Sequence, residues 1–128
     1  MSEGDALALY RTRDIHSVGE MAALANRRVN GDRVYFIVNR HVNPTNICVN
    51  RCKFCAFSKG KGEPLAYTMT MDEILLRAEE AQEQRATELH IVGGLHPDLP
   101  FDFYLLMLRS LRERFPSLHV QAFTAVEI

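Results

Sequence analysis

The sequence has no long hydrophobic run, since no apolar stretch approaches the ~18 residues that a membrane span requires. It also lacks an excess of either charge: 15 Lys and Arg stand against 16 Asp and Glu, for a formal net charge of -1. Bulk attraction to nucleic acid or to an anionic membrane is therefore not an organising feature. Repeats and low-complexity segments are absent. Cysteine is scarce, with three residues, Cys48, Cys52 and Cys55, in one short segment. An odd number so closely spaced excludes a disulfide framework. The amino terminus, Met1-Ser2-Glu3-Gly4-Asp5, is acidic where a secretory signal is positive. What is present, 47% hydrophobic and 24% charged residues in 128, is the balance of a globular protein and excludes disorder and collagen. A chain near this length buries roughly 68–70% of its unfolded surface. One domain over residues 1–128, cytoplasmic and without nucleic-acid or membrane partners, is the expectation.

After a flexible start over 1–14, Ile15, Val18, Met21, Leu24, Ala25 and Val29 recur at helical spacing, and Gly31 follows as terminator. This predicts a leading helix over 15–30. Val34-Tyr35-Phe36-Ile37-Val38 is a continuous apolar run suited to a strand buried on both faces, with Tyr35 and Phe36 as core residues. Residues 39–64 turn polar, carry every cysteine and form a long functional loop. Thr70-Met71-Asp72-Glu73 matches a capping box, and Ile74, Leu75, Ala78 and Ala81 mark the buried face of the helix that follows. A short strand, Leu89 to Val92, is halted by Gly93-Gly94. Phe101, Tyr104, Leu105, Leu108, Leu111 and Phe115 then describe an apolar helix, which Asp98 helps to start, and a last strand covers 118–126. Strands alternating with helices are the signature of βαβ units and a parallel sheet. The fold class is α/β, a partial (βα) barrel. A closed barrel needs about 250 residues, so the chain is expected to be a piece of a longer protein or to associate through open sheet edges.

Cys48, Cys52 and Cys55 are spaced by four and three residues. Three thiolates on one loop hold three corners of a cuboidal iron–sulfur cluster and leave one iron open to a small molecule, whereas four would close it. The alternative from spacing alone is a zinc site whose fourth ligand is His41, His90 or His96. Arg40, Arg51, Lys53, Lys59 and Lys61 lie between Arg40 and Gly62 with no acid among them. A local positive field there suits an anionic cluster and an incoming carboxylate.

The pattern Cys48-x-x-x-Cys52-x-x-Cys55, with Phe54 immediately before the last cysteine, resembles the cluster motif of the radical S-adenosylmethionine (SAM) superfamily. Asn39 to Asn46 leading into the cysteines, and Cys55-Ala56-Phe57-Ser58 after them, are similar to the branch holding the futalosine-pathway and FO synthase enzymes. His90 to Phe101 and Phe123 to Ile128 are most similar to the aminofutalosine synthase family, and only to its amino-terminal portion. The resemblance implies an enzyme with a [4Fe-4S] cluster on Cys48, Cys52 and Cys55 and SAM on the open iron. It implies that the 5′-deoxyadenosyl radical adds to 3-[(1-carboxyvinyl)oxy]benzoate to form 6-amino-6-deoxyfutalosine in menaquinone biosynthesis. An electron donor such as flavodoxin or ferredoxin follows from the same chemistry. Cyclic dehypoxanthine futalosine synthase, FO synthase and a non-catalytic zinc module are the alternatives.

By the same resemblance Phe54 lies near the adenine of SAM, and Gly93 and Gly94 receive its amino group. An acidic residue often follows the glycine pair in the superfamily, but Leu95 stands there, so ammonium recognition falls to backbone atoms or to another acid. Thr124 and Glu127 end the third strand on the same rim as further cofactor-binding candidates. His96, on the loop over the site, is a candidate substrate contact. Asn43, Thr45 and Asn46 are expected to orient the loop through side-chain to backbone hydrogen bonds.

Overall fold

The computed structural model describes residues 1–127; Ile128, the last residue of the expected domain, lies outside them. Two compact units, Met1–Phe36 and Ile37–Ile128, stand where one domain is expected. The amino-terminal unit holds helices α1 (Glu3–Arg11) and α2 (Ile15–Asn30). Neither helix buries a residue. Residues 3–11 are helical rather than irregular because Ser2 and Asp5 form a reciprocal cap: the Ser2 hydroxyl accepts from the Asp5 amide at 3.2 Å and the Asp5 carboxylate accepts from the Ser2 amide at 2.7 Å. Helix α2 begins on Asp14, whose carboxylate accepts from the Ser17 amide at 3.1 Å, and stops at Gly31, where φ reaches +64°.

The second unit orders β1 (Asn39–Val42), α3 (Met71–Glu83), β2 (Glu88–Ile91), α4 (Phe101–Arg114) and β3 (His119–Ala122). The sheet is parallel in the order β1-β2-β3, with Val42 opposite Ile91 and Ile91 opposite Ala122. Arg40, Val42, Leu89, Ile91, Val120 and Ala122 therefore share one face, and α3 and α4 cover it. Ile74, Ala78 and Ala81 of α3 meet Tyr104, Met107 and Leu111 of α4 in a single core with Leu89, Ile91, Phe115 and Leu118. Thr70 and Glu73 cap α3 reciprocally, and the side spacing of its apolar residues sets the buried face. Helix α4 starts on Pro100 without a side-chain cap; Asp98 is engaged elsewhere.

The strands depart from the sequence expectation in position and in polarity. Val34, Tyr35, Phe36 and Ile37 are exposed, Val34 at 87%, and β1 begins only at Asn39. The ladder explains the shift, because Val38 is the first residue tied to β2, its carbonyl accepting from the Glu88 amide at 3.4 Å and from the preceding Thr87 amide at 2.7 Å. Burial on both faces also fails: the face away from the helices carries Asn39, His41, Glu88, His90, His119 and Gln121. The His41 and His90 rings lie 4.9 Å apart across the two strands. Glu88 is buried beneath them in the register, with His119 at 3.9 Å.

Candidate active site

The cysteine loop leaves the carboxyl end of β1 and is held at its base by its own polar residues. Thr45 and Asn46 are almost fully buried, at 1% and 5% exposure. The Thr45 hydroxyl donates to the Tyr67 carbonyl at 2.7 Å and accepts from the Ile47 amide at 3.1 Å. The Asn46 side chain donates to the Leu65 carbonyl and accepts from the Tyr67 amide, both at 2.8 Å. The Asn43 side-chain amide donates to the Val92 carbonyl. Burying these groups is tolerable because each one finds a partner, and no buried side-chain polar atom among the described residues is left unpaired. The orienting role expected of Asn43, Thr45 and Asn46 is thus visible bond by bond.

The span from Cys48 to Lys59 is closed where it begins. The Cys48 amide donates to the Lys59 carbonyl at 3.0 Å, and the Lys59 amide donates to the Asn46 carbonyl at 2.8 Å. All three cysteines are free thiols, Cys48 half-buried and Cys52 and Cys55 exposed. The Cys55 thiol is held below its ordinary value chiefly by the Ser58 amide and then by the Phe57 amide. Arg51, between the first two cysteines, sits at φ +44° and pairs with Glu63. Lys61 pairs with Asp98 on the loop after β2, and Arg40 with Glu80. The basic segment is therefore largely neutralised by acids outside it, and of its cations only Lys53 and Lys59 make no ion pair among the described residues. Phe54 is fully exposed.

Gly93 and Gly94 lie against this loop. The Gly94 amide donates to the Thr45 carbonyl at 2.8 Å, and the Val49 amide donates to the Leu95 carbonyl at 3.0 Å. A Cβ on Gly94 would stand 2.3 Å from the Ile47 carbonyl oxygen, so only glycine admits this approach. The Glu127 carboxylate accepts from the Gly93 amide through Oε1 and from the Thr124 amide and hydroxyl through Oε2, each at 2.7 Å. A cleft of about 230 Å³ beside them is lined by Val49, Leu95, His96, Phe101, Tyr104 and Glu127 among others. Burial raises the Tyr104 hydroxyl above its ordinary value, and the negative Glu127 adds to that. The His96 ring accepts from the Asp98 amide at 3.0 Å through Nδ1.

A model of the radical SAM superfamily matches residues 42–126. The chain belongs to the radical SAM superfamily. It is 43% identical over its whole length to an aminodeoxyfutalosine synthase of Streptomyces coelicolor, of which it covers 33%. It is 42% identical over its whole length to a 5-amino-6-(D-ribitylamino)uracil–L-tyrosine 4-hydroxyphenyl transferase of Methanopyrus kandleri, covering 35% of it. Over 99% of its length it is 44% identical to an FO synthase of Mycobacterium tuberculosis, covering 15% of that protein. The chain spans about a third of the length of the first two relatives.

Radical SAM enzymes use a [4Fe-4S] cluster together with SAM. The donor set fits that cluster: three thiols share one loop closed at its base, and amide N–H groups favour the thiolate of Cys55. No set of three or more His, Cys, Asp or Glu residues among the described residues converges as a metal cage. The histidines considered as a fourth ligand are engaged in other ways, His41 with His90 and His96 with Asp98. The network that joins Glu127 to Gly93 is a feature that sequence reasoning missed. Its one signal is Thr124-Ala125-Val126-Glu127, the same T-x-x-E spacing that caps α3.

Proposed function

We propose that this chain is the cluster- and SAM-binding part of an aminofutalosine synthase-type enzyme. That enzyme adds the 5′-deoxyadenosyl group of SAM to the enol-ether double bond of 3-[(1-carboxyvinyl)oxy]benzoate, and rearrangement with loss of the vinyl carboxylate as carbon dioxide or bicarbonate gives 6-amino-6-deoxyfutalosine for menaquinone synthesis, with methionine released. The observation that carries the proposal is the bonding of the cysteine loop to the glycine pair at the end of the central strand, which gives thiols and rim a common frame. Relatives from Streptomyces coelicolor and Thermus thermophilus, 43% and 39% identical over the whole chain, bear the aminodeoxyfutalosine synthase name and support it.

Cys48, Cys52 and Cys55 would hold the [4Fe-4S] cluster, which when bound and reduced would supply the electron for reductive cleavage of SAM. The protein's part is position and the exclusion of water. Thr45 and Asn46 hold the start of the cysteine loop, and Arg51 and Lys61 strap its far side through Glu63 and Asp98. Both glycine amides are already donated, to Glu127 and to Thr45, so the glycine pair offers the SAM ammonium its carbonyl oxygens. Thr124 and Glu127 complete that rim, and Phe54 swings over the adenine from its exposed position. His96 meets the substrate from the cleft, while His41 and His90 on the polar sheet face suit its carboxylates. A flavodoxin- or ferredoxin-type reductant and a cytoplasmic location belong to the same proposal, with no nucleic-acid or membrane partner.

Anaerobic reconstitution of the full gene product, reduction, and addition of SAM with 3-[(1-carboxyvinyl)oxy]benzoate tests it. The expected result is bound iron and sulfide and an adenosyl adduct of the benzoate. 5′-Deoxyadenosine without adduct would move the substrate to that of a sibling enzyme. Tightly held zinc in place of iron would end the radical proposal.

A further inference from the structure

The peptide between Val92 and Gly93, at the tip of the central strand, is gripped from both sides by side chains. Its carbonyl accepts from the Asn43 side-chain amide, which follows β1, and its N–H donates to Glu127 Oε1, which follows β3. Strands β1 and β3 flank β2, so these two side chains continue the hydrogen-bond ladder on both sides beyond the point where strand backbone provides it. A peptide plane fixed at both its oxygen and its hydrogen does not flip, even though glycine tolerates either orientation. The grip on Glu127 is itself firm, because its second oxygen takes the amide and hydroxyl of Thr124. The capping pair Thr70 and Glu73 shows the contrast: Glu73 Oε2 serves its own helix start and no distant partner is bonded to Oε1 among the described residues.

We infer that Asn43 and Glu127 are positioning residues, a two-sided clamp that sets the Val92–Gly93 peptide and so aims the glycine pair at its ligand. The inference deepens the SAM assignment of the rim and rests on it for the ligand. The role of Glu127 is then exercised through Gly93 and not by holding SAM itself.

Amide hydrogen exchange on the full chain tests the clamp without any ligand. The Gly93 amide exchanges slowly in the native protein, and Glu127→Ala speeds it by about tenfold or more. Asn43→Asp, which keeps the size but loses the donor, speeds the same amide although Asn43 does not touch it. The Gly94 amide, bonded to Thr45, stays protected in both variants and shows that the fold is intact. Glu127→Gln, which retains one acceptor oxygen, falls between native and Glu127→Ala. With iron loaded, the loss in both variants falls on KM for SAM more than on kcat, as for an interaction that binds without entering the reaction. Unchanged Gly93 exchange in Glu127→Ala and Asn43→Asp would overturn the clamp. Loss of SAM binding in Glu127→Ala with Gly93 still protected would overturn it too, by making Glu127 a direct ligand. Failure of the native protein to bind SAM would count against the proposed function alone, since the exchange result stands without it.

Discussion

Gly94 has two demands on it, and they separate cleanly at the level of one atom. A side chain there would meet the Ile47 carbonyl oxygen at 2.3 Å and the Ile47 carbonyl carbon at 2.8 Å, backbone atoms that cannot swing aside. At Gly93 the nearest atom, the Thr45 carbonyl oxygen, is 3.3 Å from the same imagined Cβ. Gly94→Ala is therefore expected to push Ile47 and with it Cys48 out of place, lowering iron uptake on reconstitution and costing roughly 1–3 kcal/mol of stability in a urea titration. Gly93→Ala is expected to lose much less iron. Equal iron content in the two variants would show that the approach of the glycine pair to the cysteine loop does not govern cluster binding. The sequence shows two glycines after a strand, which predicts a rim but does not distinguish a ligand's need for space from a neighbouring backbone's. That distinction depends on Ile47, 47 residues earlier in the chain than Gly94.

Helices were more legible than strands, and the reason lies in how far each element's partners are. The α3 cap and its buried face are local, Thr70 with Glu73 and Ile74 with Ala78 and Ala81, and the structure repeats them. Thr70→Ala is expected to cost about 1 kcal/mol, read as a lower urea midpoint with an unchanged slope. The strands needed their neighbours: Val34 to Ile37 look like a buried strand until the ladder is seen to start at Val38. The alternation in Glu88-Leu89-His90-Ile91 and His119-Val120-Gln121-Ala122 was there to be read as one apolar and one polar face. The cysteine loop was legible as three closely spaced thiols but not as a strapped element, because Glu63 and Asp98 lie outside the basic run they neutralise. Both carboxylates are held below their ordinary range, Glu63 by Arg51 first and Asp98 by Lys61 first. A depressed folded-state value means the strap contributes above the ordinary values of 4.5 and 3.8 and is lost as pH falls through and below them. Limited proteolysis of the loop should accelerate over that acid range in the native protein. Arg51→Ala should show faster cleavage already at neutral pH and a weaker acid dependence.

At the scale of the whole molecule, the sheet places its chemistry at one end and leaves its sides uncovered. Among the described residues β1 and β3 are both edge strands, and the face of the sheet away from α3 and α4 is polar. Ile37 and Val38, leading directly into β1, are exposed, and strand edges beside exposed apolar residues are templates for pairing with another chain. The net charge of -1 supplies little repulsion to oppose such pairing. The 128-residue chain is therefore expected to self-associate as its concentration rises, seen as a growing weight-average sedimentation coefficient. Ile37→Lys puts a charge at the approach to β1 and is expected to shift that association to higher concentration, since an inward-pointing or edge lysine opposes strand addition. Leu89→Ala acts oppositely: it opens a hole in a fully buried site, costs on the order of 2–5 kcal/mol, and should increase association by loosening the core. A native chain that sediments as a monomer at every concentration would show that these edges are protected by their own twist and charge. A native chain that associates but is unaffected by Ile37→Lys would place the contact at β3 or on the polar face instead.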